Sequence, residues 1–384
     1  MRIAMTSGSR KFLLLSRRCA LGGFLAVAFV AAVPPAGAME TLARQAFLMD
    51  TTTGATLFEK EADQSMAPAS MSKMMTAYMI FERLRDGRLS LDDSFPVSEN
   101  AWRKGGAKSG GSTMFLEPGT RVRVEDLLRG IIVQSGNDAC IVAAESLSVS
   151  EDAFADEMTI KARELGLADT VFKNATGWPD PEHLTTARDL SILAARTIED
   201  FSEYYHYYAD KNFTYNGIRQ GNRNPLLYKD IGADGLKTGH TSGSGYGLAA
   251  SVVRGDRRLI LVVNGLPSVK TRSRESERLI EWGIREFKNY ALFKRGEMVT
   301  DVPVWLGGSE LVGAYVEDDI VITLAKDARR DMKVSVRYEG PVPAPIAAGD
   351  VIATLSVTAP RMEPIERPLR AVAPVHQLGV FRRF

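Results

Sequence analysis

The sequence predicts an α+β protein followed by a small all-β domain, and three observations carry that expectation. Strand-like runs at 46–50 and 56–59 are separated by a long, mostly helical stretch from three more, at 235–240, 246–253 and 259–263. An amphipathic run at 273–290 follows, with apolar Leu279, Ile280, Trp282, Ile284 and Phe287. Beyond Phe293 the texture changes to short strands at regular spacing, broken by Pro and Gly. Sequence-distant strands brought into one antiparallel sheet, with helices packed against it, define α+β. Evenly spaced short strands define the second, all-β part. The length of 384 residues agrees with two domains at roughly 100–200 residues each. The boundaries read as 39–292 and 293–375, with a short tail at 376–384.

The elements follow in order. Thr51-Thr52-Thr53-Gly54 turns the first two strands into a hairpin. Pro68 keeps the residue before it out of a helix, so the apolar helix through Met74, Met75, Tyr78 and Ile80 begins near Ser70. Gly87 stops it. Residues 104–113 are too glycine-rich for regular structure and read as a mobile loop. The helical segment 124–134 breaks at Ser135-Gly136-Asn137, and a second helix resumes with Asp138 as its N-cap. Another helix spans 150–165 and stops at Gly166. Tyr215-Asn216-Gly217 and Asn222-Arg223-Asn224-Pro225 are turn signals, and Gly255-Asp256 closes a hairpin. In the second domain, strands are expected at 302–305, 320–324, 332–337 and 351–355.

The N-terminus carries Arg2, Arg10, Lys11, Arg17 and Arg18, then an apolar run from Cys19 to Val33 and an Ala-Gly-Ala end at Ala38. This is the pattern of a secretory signal peptide over 1–38. The run is shorter than the ~20 apolar residues a membrane span needs. Ser16-Arg17-Arg18 leaves open whether export is general or twin-arginine. Removing 1–38 takes away five basic and no acidic residues, so the formal charge passes from +1 to −4. Neither value favours nucleic acid. Cleavage also leaves Cys140 as the sole cysteine, so no internal disulfide is available and stability rests on packing. Cys140 lies in an apolar helical pattern and reads as a small buried hydrophobe.

Three short stretches bear chemistry. Ser70-Met71-Ser72-Lys73 places a hydroxyl and an amine three apart on a helix, hence on one face. A deprotonated lysine can activate a serine as a nucleophile. Ser135-Gly136-Asn137 sits at a helix break, and Lys237-Thr238-Gly239-His240-Thr241 sits on a strand whose glycine admits a substrate backbone. Each alone is also an ordinary turn or strand end. Together, in this order, they make one site. The histidines His183, His206, His240 and His376 lack metal-ligand spacing, so neither metal nor cofactor is expected. His183 and His206 read as surface or satisfied polar residues.

With these stretches in view, the chain resembles the serine-type D-alanyl-D-alanine carboxypeptidases, the low-molecular-mass penicillin-binding proteins of peptidase family S11. The likeness runs through Pro68-Ala69-Ser70-Met71-Ser72-Lys73, Gln134-Ser135-Gly136-Asn137-Asp138, Asn216-Gly217-Ile218-Arg219-Gln220 and Asp234-Gly235-Leu236-Lys237-Thr238-Gly239-His240-Thr241. It implies a penicillin-binding, β-lactamase-like fold for 39–292. It implies Ser70 as nucleophile, Lys73 as its base and Ser135 as proton relay. Asn137 is then expected to hold the substrate amide, and the backbone N–H groups of Ser70 and His240 to form the oxyanion hole beside Gly239. Lys237 and Thr238 are expected to take the terminal carboxylate, with Arg272 or its neighbour Arg274. A cation such as Lys237, together with burial, is expected to keep Lys73 partly neutral.

The implied partners are peptidoglycan pentapeptide stems, with β-lactams as inhibitors, in the periplasm. D,D-endopeptidase activity uses the same site and stays open. A β-lactamase needs a second general base that no Glu here evidently supplies, and a non-catalytic wall scaffold sits badly with an intact motif set. Members of the group commonly end in an amphipathic membrane-surface helix. Here the chain after Pro374 is too short for more than weak peripheral contact, although Phe381, Arg382, Arg383 and Phe384 have suitable chemistry.

Overall fold

The computed structural model describes residues 4–5 and 39–379. The expected signal peptide, residues 4–5 apart, and Phe381 to Phe384 lie outside the described residues. The chain divides into two compact units, with the division between Arg285 and Glu286.

In the unit 39–285, a five-stranded antiparallel sheet runs in the order Thr56–Lys60, Gln45–Asp50, Arg257–Leu266, Gly245–Arg254, Ala233–Thr241. The first hairpin therefore docks onto strands from the far end of the unit, with Leu48 opposite Leu261. Gln45–Asp50 is buried along almost its whole length, which is why it reads as an unbroken apolar run rather than an alternation. Helix Lys73–Arg85 is likewise enclosed, with Met74, Met75, Ala77, Ile80 and Phe81 all at 1 % exposure or less. From Met74 to Phe81 this helix is apolar on nearly every side, which places that stretch inside, while Glu82 and Arg85 bring its last turn to solvent. Its C-cap is Asp86, and Gly87 follows at φ +70°.

Three local expectations are corrected. The last helix of this unit spans Val269–Glu286, not 273–290, and Phe287–Phe293 is a strand paired with Ile320–Ala325. The Phe, Tyr and Leu side chains of that run satisfy either period, and pairing across the sheet decides. The second unit thus begins at Glu286, several residues before the expected 293. Asp138 is not a helix cap: the helix is Asn137–Leu147 with Gly136 at its N-cap. The glycine-rich loop is partly ordered, as helix Glu99–Gly105 and a 3₁₀ turn Ala107–Ser109. A Cβ on Gly105 would lie 2.3 Å from the Asp138 nitrogen, so this glycine serves close packing.

The second unit is all-β. Its seven-stranded sheet runs Ala4–Met5, Lys333–Arg337, Val351–Thr358, Ile365–Ala371, Leu311–Val316, Met298–Trp305, Val342–Pro343. Val302, Val336, Leu355 and Leu369 are fully buried, each contributing on the order of 1.5–3 kcal/mol of apolar burial. Cys140, the one cysteine among the described residues, is buried and unpaired. No helix among the described residues is long and apolar enough to cross a membrane.

Candidate active site

The chain enters the site through a 3₁₀ turn, Ala69–Ser72, that leads straight into helix Lys73–Arg85. Pro68 opens the turn, and Ala69 takes a left-handed conformation at φ +49°. On this geometry Lys73 Nζ reaches Ser70 Oγ at 3.0 Å. The same amine donates to Asn137 Oδ1 at 2.9 Å and to the Thr176 carbonyl at 2.5 Å. Lys73 is 1 % exposed and Ser70 is half-buried, so the hydroxyl faces the opening and the amine lies beneath it.

Burial pushes the Lys73 ammonium down to about 8, and the Arg223 cation adds to the effect. Lys73 in turn helps to depress Lys237, a repulsion between two ammoniums that is mutual. Cys140, whose thiol burial pushes up to about 12, is a neutral thiol where Lys73 titrates and lends it no counter-charge.

The second stretch arrives through a helix, Val124–Arg129, whose last turn widens into a π-turn, Gly130–Gln134. Such turns recur where a helix must re-aim a side chain. Ser135 then adopts φ +65°, ψ +34°. Its Oγ is buried and has no hydrogen-bond partner among the described residues. A buried hydroxyl without a partner requires an explanation, and a bound substrate would supply one. Asn137 and Lys73 are joined directly; Ser135 is the free hydroxyl of the group.

The third stretch lies on strand Ala233–Thr241. Lys237 and Thr238 are buried, and burial holds the Lys237 ammonium well below the usual lysine range, with Lys73, Arg223 and Arg272 adding to it. A Cβ on Gly239 would meet the Pro68 carbonyl at 2.9 Å and Ala69 Cβ at 3.3 Å, so this strand rests directly on the serine turn. His240 is exposed, its ring stacked on Tyr246 at 3.9 Å.

Arg272 and Arg274 part company. Arg274 is exposed and pairs with Glu275 at 3.6 Å. Arg272 is 5 % exposed and sits 5.8 Å over the Tyr246 ring. Its guanidinium makes only long contacts, 3.5 Å to the Gly247 carbonyl and 3.4 Å to that of Arg223, and Nε has no partner. Burial pushes it down to about 10, still charged at neutral pH.

Other participants escaped the sequence. Arg223 read only as part of a turn, yet its guanidinium donates to Ser112 Oγ at 2.5 Å and its charge acts on Lys73, Lys237 and Arg272. The Thr176 carbonyl is held by a turn in which Asn174 Oδ1 accepts from the N–H groups of Thr176, Gly177 and Trp178. An Asn ahead of a Gly is the signal that could have marked it. Buried Asp138 gathers the N–H groups of Met114 and Leu116 and the Thr113 hydroxyl, tying residues 113–116 to the Asn137 helix. Among the described residues, no cluster of His, Cys, Asp and Glu could hold a metal ion.

With this geometry in place, comparison with known proteins defines the class. The family described as D-alanyl-D-alanine carboxypeptidase matches residues 30–268, and the penicillin-binding protein 5 C-terminal domain matches 287–373. D-alanyl-D-alanine carboxypeptidase DacC of Escherichia coli is 38 % identical over 344 residues, covering 89 % of this chain and 86 % of that protein. DacA of the same organism is 36 % identical over 369 residues, covering 92 % and 91 %. Penicillin-binding protein 5 of Haemophilus influenzae superposes with a TM-score of 0.78 at 35 % identity, covering 88 % of this chain and 99 % of that one. A smaller neighbour, penicillin-binding protein D2 of Listeria monocytogenes in its ampicillin-bound form, gives 0.55 at 28 % identity over 64 % of this chain and 99 % of its own. The chain belongs to the D-alanyl-D-alanine carboxypeptidase family.

Proposed function

We propose that this chain removes the terminal D-Ala from peptidoglycan pentapeptide stems through an acyl-enzyme on Ser70, and that β-lactams acylate the same oxygen. The observation that carries the reading is the buried Lys73 amine, 3.0 Å from Ser70 Oγ and brought to about 8 by burial. A lysine in that state accepts a proton near neutral pH.

Ser70 Oγ attacks the carbonyl carbon of the penultimate D-Ala, and its proton passes to Lys73 Nζ. The oxyanion takes hydrogen bonds from the Ser70 and His240 backbone N–H groups, each worth about 2.7–4 kcal/mol. Asn137 Nδ2 holds the substrate amide, since Oδ1 is engaged by Lys73. The C–N bond breaks as Lys73 gives that proton up through Ser135 to the leaving amine, and D-Ala departs with Lys73 neutral again. Water then adds to the ester carbonyl, giving its proton to Lys73, and the shortened stem leaves with Ser70 restored. The terminal carboxylate lies against Lys237, Thr238 and Arg272 as charge-assisted hydrogen bonds. Its negative charge opposes the burial that holds the Lys237 ammonium well below the usual lysine range.

The unit 39–285 is the catalytic domain in this reading, and 286–375 a separate all-β module. The enzyme works in the periplasm after export. The test is D-Ala release from a pentapeptide ending in D-Ala-D-Ala. Wild type releases one D-Ala per stem and Ser70→Gly none; equal release by both would refute the assignment of Ser70.

A further inference from the structure

The turn that carries Ser70 is braced from behind by a chain of hydrogen bonds ending on its own backbone. The Lys173 N–H donates to His183 Nδ1 at 3.2 Å. A neutral ring that accepts at Nδ1 carries its proton on Nε2. Nε2 lies 2.8 Å from Ser72 Oγ and therefore donates to it, and Ser72 passes its single proton to the Ala69 carbonyl at 2.9 Å. His183 is 2 % exposed and packs edge-on against Phe172 at 5.5 Å; Ser72 is fully buried. Burial pushes the imidazole down to about 4, so the ring is neutral at working pH.

The end of this chain matters because the Ala69 carbonyl and the Ser70 N–H are two ends of one planar peptide group. Ala69 holds φ +49°, a left-handed conformation that an alanine disfavours and that its surroundings must enforce. A donor on the carbonyl fixes the tilt of that plane. It also polarises the amide, so the N–H at the other end becomes a stronger donor.

We infer that His183, acting through Ser72, is a positioning residue for the oxyanion hole: it orients and polarises the peptide whose N–H stabilises the charged intermediate at Ser70. This rests on the reading of Ser70 as the nucleophile.

The test uses the full-length protein and penicillin, following the acylation rate and the infrared stretch of the acyl-enzyme ester carbonyl. His183→Phe keeps the packing against Phe172 and removes the donor. His183→Gln restores one donor and one acceptor without charge. Acylation by His183→Phe and by Ser72→Ala falls about tenfold, less than the 100-fold or more lost with an oxyanion donor itself. Initial binding of the β-lactam stays within about twofold. The ester stretch moves to higher frequency in both variants, and His183→Gln returns both readouts most of the way. Folded variants with wild-type rate and frequency overturn the inference, as does a Gln variant no better than Phe. If His183→Phe does not fold, Ser72→Ala decides by the same two readouts. No adduct on the wild-type protein would instead count against Ser70 itself.

Discussion

Gly177 and Ala69 meet backbone to backbone: a Cβ on Gly177 would stand 1.9 Å from the Ala69 carbonyl oxygen and 3.0 Å from the Ser70 nitrogen. Gly177 also holds φ +79°, a conformation that disfavours any other residue. The loop that supplies the Thr176 carbonyl to Lys73 is thereby pressed against the turn that supplies Ser70. Gly177→Ala must push the two apart. A displacement near 1 Å costs about 100-fold at a reacting centre, so penicillin acylation of Gly177→Ala should fall between about 10- and 100-fold. Stopped-flow labelling at wild-type speed would show that the turn tolerates the intrusion.

The pH dependence of acylation follows from Lys73. Its ammonium, pushed down to about 8 by burial, must lose a proton before it can accept one from Ser70. The acylation rate should therefore rise about tenfold per pH unit below 8 and level off above it. At pH 6 it should stand about 100-fold below the plateau. A rate constant independent of pH between 6 and 8 would remove Lys73 from the role of base.

The two arginines near the start of the last helix should separate cleanly. Arg272 is buried with unsatisfied donors, whereas Arg274 is exposed and paired with Glu275. Arg272→Ala should lower kcat/KM on a D-Ala-D-Ala peptide by about 10- to 100-fold, the worth of a hydrogen bond to a charged group. Arg274→Ala should leave it unchanged. Equal effects in the two variants would exclude Arg272 as the carboxylate anchor.

Asp138 should matter first for stability. Its carboxylate is fully buried and accepts from Thr113 Oγ1 at 2.7 Å, Met114 N at 2.8 Å and Leu116 N at 3.1 Å. Asp138→Ala leaves those donors without a partner, at a cost of about 3 kcal/mol or more. Urea unfolding should show a lower midpoint with an unchanged slope. A loss under about 1 kcal/mol would mean that water replaces the carboxylate.

The strands of the main sheet, the enclosed helix after Ser70 and the three motif stretches were legible because periodicity and residue chemistry are local. What was hidden is tertiary. Arg223 read as a turn residue, because nothing in Asn222-Arg223-Asn224-Pro225 says that its charge faces two buried lysines. His183 and Ser72 lie far apart in sequence and meet only through the fold. The strand Phe287–Phe293 was absorbed into the preceding helix, since its partner Ile320–Ala325 is what makes it a strand. Asp138 has the chemistry of a helix cap, and only the approach of residues 113–116 turns its carboxylate elsewhere.

The central claim is that Ser70 Oγ is the acylated atom, and intact-protein mass spectrometry after penicillin treatment tests it most directly. Wild type should gain the mass of one whole penicillin, since ring opening expels no leaving group, and the adduct should persist and map to the peptide containing Ser70. Ser70→Gly should gain nothing. An unmodified wild-type protein, or an adduct on any other residue, would contradict the account.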